Sequence, residues 1–430
     1  MQWYNLVSLA GMVVLLAVAW AFSNERKNLN WRVIGWGLGL QLLFGLLVFV
    51  FIARMPERFN PFLLLNDAVN KVLESASAGA EFVFGKLAVS GELGFILAFQ
   101  ALPTIIFFSA LIAILYFVGV MPAVIRFFSR AFTRLMRISG AESVSAASNI
   151  FVGVESALSI RPHLARMTRS ELCTVLTAGM ATVASNVLAL YIVALRDQFS
   201  TIAAHLVSAS ILSAPAALVM SKIVLPESAQ PETLGIDVEP HYERENNLFE
   251  AIINGANAGT RLIVGIVALL IAVLGIVALV NLLVGGVGGW INRIPGLNID
   301  WTLSGLVGYV MYPFALVMGV PPADAAEVAK IIGMRSIETE VPGYFRLAAA
   351  IGEGTIQHPR SIVICAYALC GFAHIASMAI FVGGASALAP SRTRDLSEVA
   401  FRALLAATLA CLLTGCVAGA FFMEGTLMLR

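Results

Sequence analysis

The sequence predicts an all-α polytopic membrane protein, and three observations support this fold class. Of the 430 residues, 59% are hydrophobic and only 12% are charged, whereas soluble domains carry about 25% charged residues. The mean hydropathy of +0.88 over the whole chain leaves no room for a sizeable soluble domain. Eight stretches are apolar over the roughly 20 residues that a bilayer-spanning helix needs. They lie at about 4–22, 31–52, 95–119, 171–195, 203–224, 262–284, 361–384 and 402–423.

The composition also excludes several classes of protein. The net charge is +1, so nothing indicates a nucleic-acid partner. The five cysteines are an odd number in or beside apolar stretches, and they are predicted to be packing residues rather than metal ligands or disulfides. No H-E-x-x-H or G-x-S-x-G motif occurs, so neither an enzyme nor a cofactor is predicted.

The charges that flank the first apolar stretch predict the topology. No basic residue precedes this stretch, and Arg26, Lys27 and Arg32 follow it, which is the reverse of the order in a signal peptide. We therefore expect a retained transmembrane helix with its N-terminus outside. On that topology more than half of the 27 basic residues lie on the cytoplasmic side, as the positive-inside rule requires. The prediction is a multi-pass protein of the cell inner membrane with both termini in the periplasm.

Four further segments lie between the predicted spans. Residues 60–86 alternate apolar and polar residues at helical spacing, which predicts an interfacial amphipathic helix. Residues 123–138 place four arginines among apolar residues and predict a basic interfacial helix on the cytoplasmic side. Residues 301–319 are predicted to be its outer counterpart. Residues 225–246 form an acidic linker that is too short to fold alone.

Two other segments, 141–165 and 323–350, are too short or too broken to cross the membrane. Each contains a helical half, a glycine, a glutamate beyond the glycine and a second helical half. Each is therefore predicted to be a re-entrant hairpin, since non-helical backbone at membrane depth needs cover from protein or water. The glycine and glutamate pairs are Gly153 with Glu155, and Gly333 with Glu340.

The sequence contains an internal repeat. Residues 178–186 read AGMATVASN and residues 370–378 read CGFAHIASM, a gapless match at an offset of 192. Each copy lies inside a predicted span and follows a predicted hairpin, and the topology runs the two spans in opposite directions. Inverted repeats with two discontinuous helices place a substrate site at their interface near the bilayer midplane, which indicates a secondary transporter. The alternative is a chance similarity between two helices rich in small residues.

Ionisable residues at membrane depth cost free energy and therefore indicate function. The carboxylates of Glu155 and Glu340 are predicted to meet at the hairpin tips and accept hydrogen bonds from a polar solute. The alternative is that the hairpins are shallow and these side chains lie among headgroups. Glu338, two residues from Glu340, is expected to point elsewhere and to be solvated. His374 and Ser377 share one helix face, and His374 either donates to the solute, carries a proton or packs structurally.

Neutral oxygen atoms near the first repeat indicate a cation site, although less strongly than the glutamates indicate a substrate site. Asn149 and Thr182 offer side-chain oxygens, and Val152 and Val183 offer carbonyls where a helix is unwound. Oxygen ligands without a carboxylate suit a weakly held monovalent cation. The alternative is that these polar residues only join helices, as they often do in membranes.

These segments resemble the concentrative nucleoside transporter family in its bacterial form with eight spans. The resemblance covers residue 30 to the C-terminus and depends on four motifs. They are NIFVG at 149–153, LTAGMATVASNV at 176–187, G-x-R-x-x-x-T-E-V-P-G-Y at 333–344 and YALCGFAHIASMAIFVGG at 367–384. The resemblance implies cation-coupled nucleoside uptake by a homotrimer, in which a mobile transport domain moves against a rigid scaffold in elevator-type alternating access.

The resemblance also implies residue roles. Glu340 matches a glutamate that binds ribose, Ser377 matches a ribose-binding serine, and Val187 matches an apolar residue near the base. Glu155 takes the place of the glutamate of the first hairpin. The implied sodium site consists of Asn149, Val152, Thr182 and Val183.

Three departures from the family pattern bear on the substrate. The first hairpin reads Gly153-Val154-Glu155-Ser156, without the glutamine and hydroxyl that read the base. His374 stands where the family has a ribose-binding asparagine, and Thr339 stands where it has an asparagine before the second glutamate. A modified nucleoside, another polar solute and proton coupling through His374 therefore remain open beside sodium-coupled nucleoside transport.

The predicted domain organisation follows the repeat. Residues 1–138 form mainly the scaffold, and residues 139–224 form the first half of the transport domain. Residues 225–319 hold the linker, the sixth span and the outer interfacial helix. Residues 320–430 form the second half of the transport domain.

Overall fold

The structure is a computed structural model that describes residues 3–89, 94–242, 245–294 and 299–424. Every element of regular secondary structure in these ranges is a helix, which confirms the predicted all-α class. The α-helices are α1 Trp3–Ala21, α2 Trp31–Leu46, α3 Pro61–Phe84, α4 Leu97–Gln100, α5 Pro103–Phe117, α6 Val120–Met136, α7 Gly140–Asn149, α8 Arg161–Leu164, α9 Arg169–Ala181, α10 Ser185–Leu195, α11 Ile202–Val224, α12 Leu248–Ile291, α13 Leu303–Val317, α14 Pro322–Ile337, α15 Glu340–Gly352, α16 Pro359–Leu369, α17 Ile375–Leu388 and α18 Thr393–Phe421.

Among the described residues, seven helical segments are long and apolar enough to cross a membrane. They are Trp3–Ala21, Trp31–Arg54, Leu97–Phe117, Arg169–Leu195, Ile202–Val224, Leu248–Ile291 and Pro390–Phe421. The remaining predicted span, 361–384, consists of the two shorter helices α16 and α17, with residues 370–374 unwound between them. The crossing of all eight segments stays a prediction, as does the side on which each terminus lies; residues 1–2 and 425–430 are outside the described part of the chain.

The first helix packs into the body of the protein. Leu15 and Ala19 of α1 are fully buried. The side-chain amide of Asn5 donates to the carbonyls of Ala420 and Phe422 at 3.0 and 2.9 Å. These contacts join α1 to the end of α18, so the first and the last predicted spans of the chain are neighbours.

The sixth predicted span, 262–284, is part of a much longer helix. α12 has 44 residues, about 66 Å at 1.5 Å per residue, and it begins where Asn247 accepts a hydrogen bond from the amide of Glu250. A Cβ on Gly255 or Gly259 would lie 2.8 Å from the backbone of α5, so small residues allow the two helices to approach closely. Most of the remaining surface of α12 is exposed and apolar.

Hairpin 1, residues 140–164, has the predicted order of elements. Ser139 caps the start of α7 in a reciprocal pair with Glu142, which satisfies two backbone donors. The helix ends at Asn149, and Gly153 lies in the irregular turn before a short 3₁₀ segment that contains Glu155. The glycine and glutamate are thus arranged as the sequence predicts.

Hairpin 2, residues 322–352, differs from the prediction at its glycine. The sequence predicts a break at Gly333, but α14 continues through this residue to Ile337 and the chain becomes extended at Thr339. A Cβ on Gly333 would lie 2.8 Å from the backbone of Ser304 and Gly308 in α13. Gly333 therefore serves helix–helix packing, and this part of the prediction is wrong because a glycine inside a helix looks the same in sequence whether it breaks the helix or packs it.

The segments predicted to lie at the membrane interface are helical. Residues 60–86 contain α3, residues 123–138 overlap α6 and residues 301–319 contain α13. The acidic linker crosses the basic face of α6, where ion pairs join its carboxylates to three arginines. These pairs are Arg126–Glu239 at 3.3 Å, Arg130–Glu239 at 3.4 Å and Arg134–Asp237 at 3.1 Å.

Candidate functional site

Both copies of the repeat are unwound in the middle of a span. The first break lies between Ala181 and Ser185, and the second lies between Leu369 and Ile375. When the two copies are aligned at the offset of 192 residues, the second break begins earlier in the aligned copy than the first break does. As a result Thr182 follows the end of α9, whereas its counterpart His374 caps the start of α17.

The two breaks lie against each other beside α18. Gly371 has φ +149°, and a Cβ there would lie 2.7 Å from the carbonyl oxygen of Ala181 and 2.6 Å from the sulfur of Cys411. Only glycine combines this backbone conformation with so close an approach. The crossing of the two unwound segments therefore depends on Gly371.

A cavity of about 110 Å³ opens between the breaks, hairpin 2 and α12. All five residues that the sequence assigned to the substrate line it, namely Glu155, Val187, Glu340, His374 and Ser377. The other walls are mainly apolar and include Phe372, Phe381 and four residues of α12. Binding sites for small molecules commonly have this character, with a few polar groups in an apolar enclosure.

Glu340 is the polar centre of this cavity. Its carboxylate is buried, and Oε1 accepts a hydrogen bond of 2.7 Å from the hydroxyl of Tyr191. Nε2 of His374 lies 2.9 Å from Oε2, but this contact is not a well-aligned hydrogen bond. Oε2 therefore keeps the capacity to accept a hydrogen bond from a ligand.

The tautomer of His374 follows from its position at the start of α17. Nδ1 accepts a hydrogen bond of 3.2 Å from the amide of Ser377, so the ring proton is assigned to Nε2, which faces Glu340. The hydroxyl of Ser377 donates to the carbonyl of His374 at 2.7 Å and lies close to the carbonyl of Phe372. The same hydroxyl accepts a hydrogen bond of 3.4 Å from the amide of His374, so one lone pair remains available to a ligand.

Glu155 borders two spaces. Its side chain is exposed and lines both the cavity with Glu340 and an adjoining space of about 290 Å³. The second space lies between hairpin 1, α5 and the linker, with Tyr116, Arg161 and Tyr242 in its walls. Glu155 thus lies at the boundary between the candidate substrate site and one face of the protein.

The residues predicted to bind sodium lie where hairpin 1 meets the first break. Oδ1 of Asn149 accepts a hydrogen bond of 2.8 Å from Ser156. The hydroxyl of Thr182 donates to the carbonyl of Ala178 at 2.8 Å, which leaves its lone pairs free. Val152 belongs to the turn after α7, and Val183 belongs to the unwound segment.

Three hydrogen bonds hold these segments together. The hydroxyl of Ser210 lies 2.7 Å from the carbonyl oxygen of Ile150 and 3.5 Å from that of Val183. The amide of Ser185 donates to the carbonyl of Phe151 at 2.9 Å. The junction therefore gathers hydroxyl, amide and carbonyl oxygens without a carboxylate among the described contacts, a set that fits a monovalent cation such as Na⁺.

Sequence reasoning missed two parts of the site. Tyr191 lies one turn after Val187 on the same face of α10, and this spacing was the available signal. The apolar wall from α12, which includes Leu262 and Ile266, gave no signal because its sequence is uniformly apolar.

Two discontinuous helices, each preceded by a hairpin and meeting at a buried carboxylate, define an inverted-repeat membrane protein of the secondary-transporter type. Three family models cover most of the chain. Residues 10–87 match the N-terminus of the Na⁺ dependent nucleoside transporters, residues 98–198 match a nucleoside recognition region, and residues 205–419 match the C-terminus of the same transporters. The chain belongs to this family, which confirms the resemblance found in its motifs.

Individual relatives agree with this assignment. Solute carrier family 28 member 3 of Mus musculus is 38% identical over 429 residues, which are 96% of this chain and 58% of the relative. The chain thus spans less than two thirds of the length of that relative. An uncharacterized transporter of Haemophilus influenzae is 36% identical, with 98% of both chains covered. A structure of CNTnw in an inward-facing substrate-bound state matches with a TM-score of 0.86 and 32% identity, over 97% of this chain and 98% of the other.

Proposed function

We propose that the protein is a symporter that takes up nucleosides across the cell inner membrane, driven by a sodium gradient. The observation that carries this proposal is the cavity that contains Glu340 and His374, next to a junction of neutral oxygens at Asn149 and Thr182. The family consists of transporters rather than enzymes, and a relative named sodium/nucleoside cotransporter 1, from Rattus norvegicus, is 37% identical over 97% of this chain.

The second repeat supplies the groups that suit a sugar. The carboxylate of Glu340 accepts hydrogen bonds from hydroxyls, and its charge strengthens them. His374 replaces the asparagine of the family but, like asparagine, offers both an acceptor and a donor. Its Nδ1 accepts from the amide of Ser377, and its Nε2 presents an N–H toward the site. Sugar recognition is therefore retained with a longer side chain.

The first repeat supplies a different environment for the base. Val187 and Phe372 offer apolar surface, and Glu155 supplies a carboxylate in place of the missing glutamine and hydroxyl. An ionised carboxylate only accepts hydrogen bonds, so the site favours a base edge that carries N–H donors. A modified nucleoside or another polar solute with such donors is the second candidate substrate class.

Sodium is the better-supported coupling ion. The oxygen set at Asn149, Val152, Thr182 and Val183 suits Na⁺. Both ring nitrogens of His374 already contact protein groups, which argues against this residue as the carrier of a transported proton.

The proposal includes the domain division of the sequence and its assembly. Residues 139–224 and 320–430 move as a transport domain, while residues 1–138 and the sixth span form the scaffold. The exposed apolar surface of α12 needs lipid or another subunit to cover it, which supports a homotrimer in the bilayer. Both termini are placed in the periplasm on the basis of the basic residues near α6.

The function is tested by uptake of labelled uridine and adenosine into proteoliposomes with imposed sodium or proton gradients. We expect an inward sodium gradient to drive accumulation and a proton gradient alone to fail. Absence of gradient-driven accumulation of any nucleoside would refute the proposal. A thermal-shift screen of nucleosides, sugars and other polar solutes then identifies which substrate class binds.

A further inference from the structure

Arg335, in the last turn of α14, is a fully buried cation with incomplete hydrogen bonding. Its Nη1 donates to the carbonyl of Ala368 at 2.7 Å. Its Nε and Nη2 have no hydrogen-bond partner among the described residues, and the nearby thiol of Cys411 is only a weak acceptor. No carboxylate in the described part of the chain lies within ion-pair distance of Arg335.

A second buried arginine shows what a purely structural role looks like. Arg360 is also buried, and all three of its nitrogens are hydrogen-bonded. Nε donates to Gly319, Nη1 donates to Asn5, and Nη2 donates to Tyr4 and Ser8, at 2.7–3.0 Å. These bonds tie α1 to α16, whereas Arg335 makes a single hydrogen bond to an oxygen of the described residues and has no ion-pair partner among them.

The end of α16 stabilises the charge of Arg335. The C-terminal carbonyls of a helix carry a partial negative charge that favours a cation, and Ala368 lies in the last turn of α16. The hydroxyl of Tyr344 in α15 donates to Ala366 in the same turn at 3.2 Å. Both halves of hairpin 2 therefore bind the helix end that precedes the second break.

The equivalent junction in the first repeat has no charged side chain among its described contacts. There, the turn after α7 meets the segment that follows α9, because the hydroxyl of Ser210 lies within hydrogen-bond distance of the carbonyls of Ile150 and Val183. Asn149 is the last residue of α7, and Thr182 is the first residue after α9. In the first repeat the turn after the first hairpin helix thus meets the residues that follow α9, and in the second repeat the last turn of α14 meets the last turn of α16. One junction offers neutral oxygens to a cation, and the other already contains a guanidinium.

We propose that Arg335 is a built-in cation that takes, in the second repeat, the place that the transported ion takes in the first. It holds hairpin 2 against α16 without an ion and confines sodium binding to the first repeat. This inference depends on the proposed sodium coupling. It makes Arg335 a positioning residue, because the residue is not among those that line the substrate cavity.

The test is the sodium dependence of nucleoside uptake by Arg335→Gln, Arg335→Lys and the matched control Arg360→Gln. We expect a hyperbolic dependence for the wild type and Arg335→Lys. Arg335→Gln should become sigmoidal, with a Hill coefficient approaching about 2 and a half-saturating sodium concentration about tenfold higher, because a second cation must then bind. Arg360→Gln should melt at a lower temperature and keep the hyperbolic dependence.

Thermal melting of the purified proteins in sodium or choline chloride gives a readout independent of transport. Sodium should stabilise Arg335→Gln more than it stabilises the wild type. Equal stabilisation together with hyperbolic uptake would overturn the inference, as would a folded Arg335→Lys protein that does not transport. If Arg335→Gln cannot be purified, Arg335→Lys alone is the test. A folded Arg335→Lys protein that transports with a hyperbolic sodium dependence supports the inference, and one that does not transport overturns it. Lack of sodium-dependent uptake by the wild type would instead overturn the proposed function.

Discussion

At the scale of single residues, the site is organised around Glu340. The sequence identified Glu340 because an ionisable residue in a re-entrant hairpin needs an explanation, and it identified His374 as an ionisable residue inside a predicted span. It did not identify Tyr191, since a tyrosine in an apolar span resembles any packed aromatic residue and its partner is 149 positions away. A contact between residues this far apart in the sequence can be recognised only in the folded structure.

Substitution of Tyr191 by phenylalanine tests the role of its hydroxyl. The change removes a donor to a charged acceptor, an interaction that contributes about 1.5–3 kcal/mol, and the carboxylate of Glu340 loses its fixed orientation. The dissociation constant for nucleoside, measured by equilibrium binding, should rise by about tenfold.

The matched control for this prediction is Tyr344→Phe. The ring of Tyr344 stacks on that of Tyr191 at 4.4 Å, but its hydroxyl donates to Ala366 rather than to Glu340. Nucleoside affinity should therefore stay near the wild-type value. An equal loss of affinity in both variants would show that ring packing, and not the bond to Glu340, is what matters.

Substitutions of His374 separate its two functions. Asparagine and aspartate both cap helices, but only asparagine also presents a donor to Glu340. His374→Asn should retain uptake, while His374→Asp should lose substrate binding because two carboxylates would face each other. Uptake of labelled nucleoside by equal amounts of each variant checks both expectations. Equal transport by the two would contradict the donor role of His374.

At the scale of elements, the sequence located the helices better than it located their ends and breaks. Apolar stretches predicted the spans because burial in lipid demands them. They could not predict that α12 extends to 44 residues, since glycines and polar residues interrupt the apolar pattern at its ends. They also could not distinguish the packing glycine Gly333 from the breaking glycine Gly153, because that difference depends on which helix lies opposite.

Glycines in α12 provide a test of its packing. Gly259→Ala places a Cβ about 2.8 Å from Ile106 of α5, and overpacking of this kind typically costs about 1–3 kcal/mol. The melting temperature of the purified protein should fall. Gly265→Ala is the matched control in the same helix, since no described atom lies within 4 Å of the new Cβ; comparable destabilisation by both changes would contradict the close contact of α5 with α12.

At the scale of the whole molecule, composition, apolar spans and the repeat predicted the fold class, whereas the resemblance to the family depended on four motifs. The fold class was predictable because a chain in a bilayer must satisfy its own backbone and because duplicated segments keep small residues where helices cross. The sequence did not predict that the two breaks occupy different positions in the repeat register. That difference places Thr182 after one helix and His374 at the start of another, and it makes the two halves chemically unequal.

A crosslink between the two proposed domains tests whether they move. The amide of Asn186 in α10 lies 3.4 Å from the hydroxyl of Ser109 in α5, so cysteines at both positions should react with a short thiol crosslinker. Crosslinking should stop uptake, and reduction of the crosslink should restore it. Ser109→Cys alone, treated in the same way, should transport normally. Continued uptake by the crosslinked protein would exclude an elevator movement between these helices.

The central claim is that a sodium gradient drives nucleoside transport through the site at Glu340. The most direct measurement is accumulation of labelled nucleoside in proteoliposomes under an inward sodium gradient, compared between the wild type and Glu340→Gln. We expect the wild type to accumulate nucleoside and a folded Glu340→Gln protein to fail, because the site loses its charged acceptor. Accumulation by Glu340→Gln at the wild-type rate would contradict the claim.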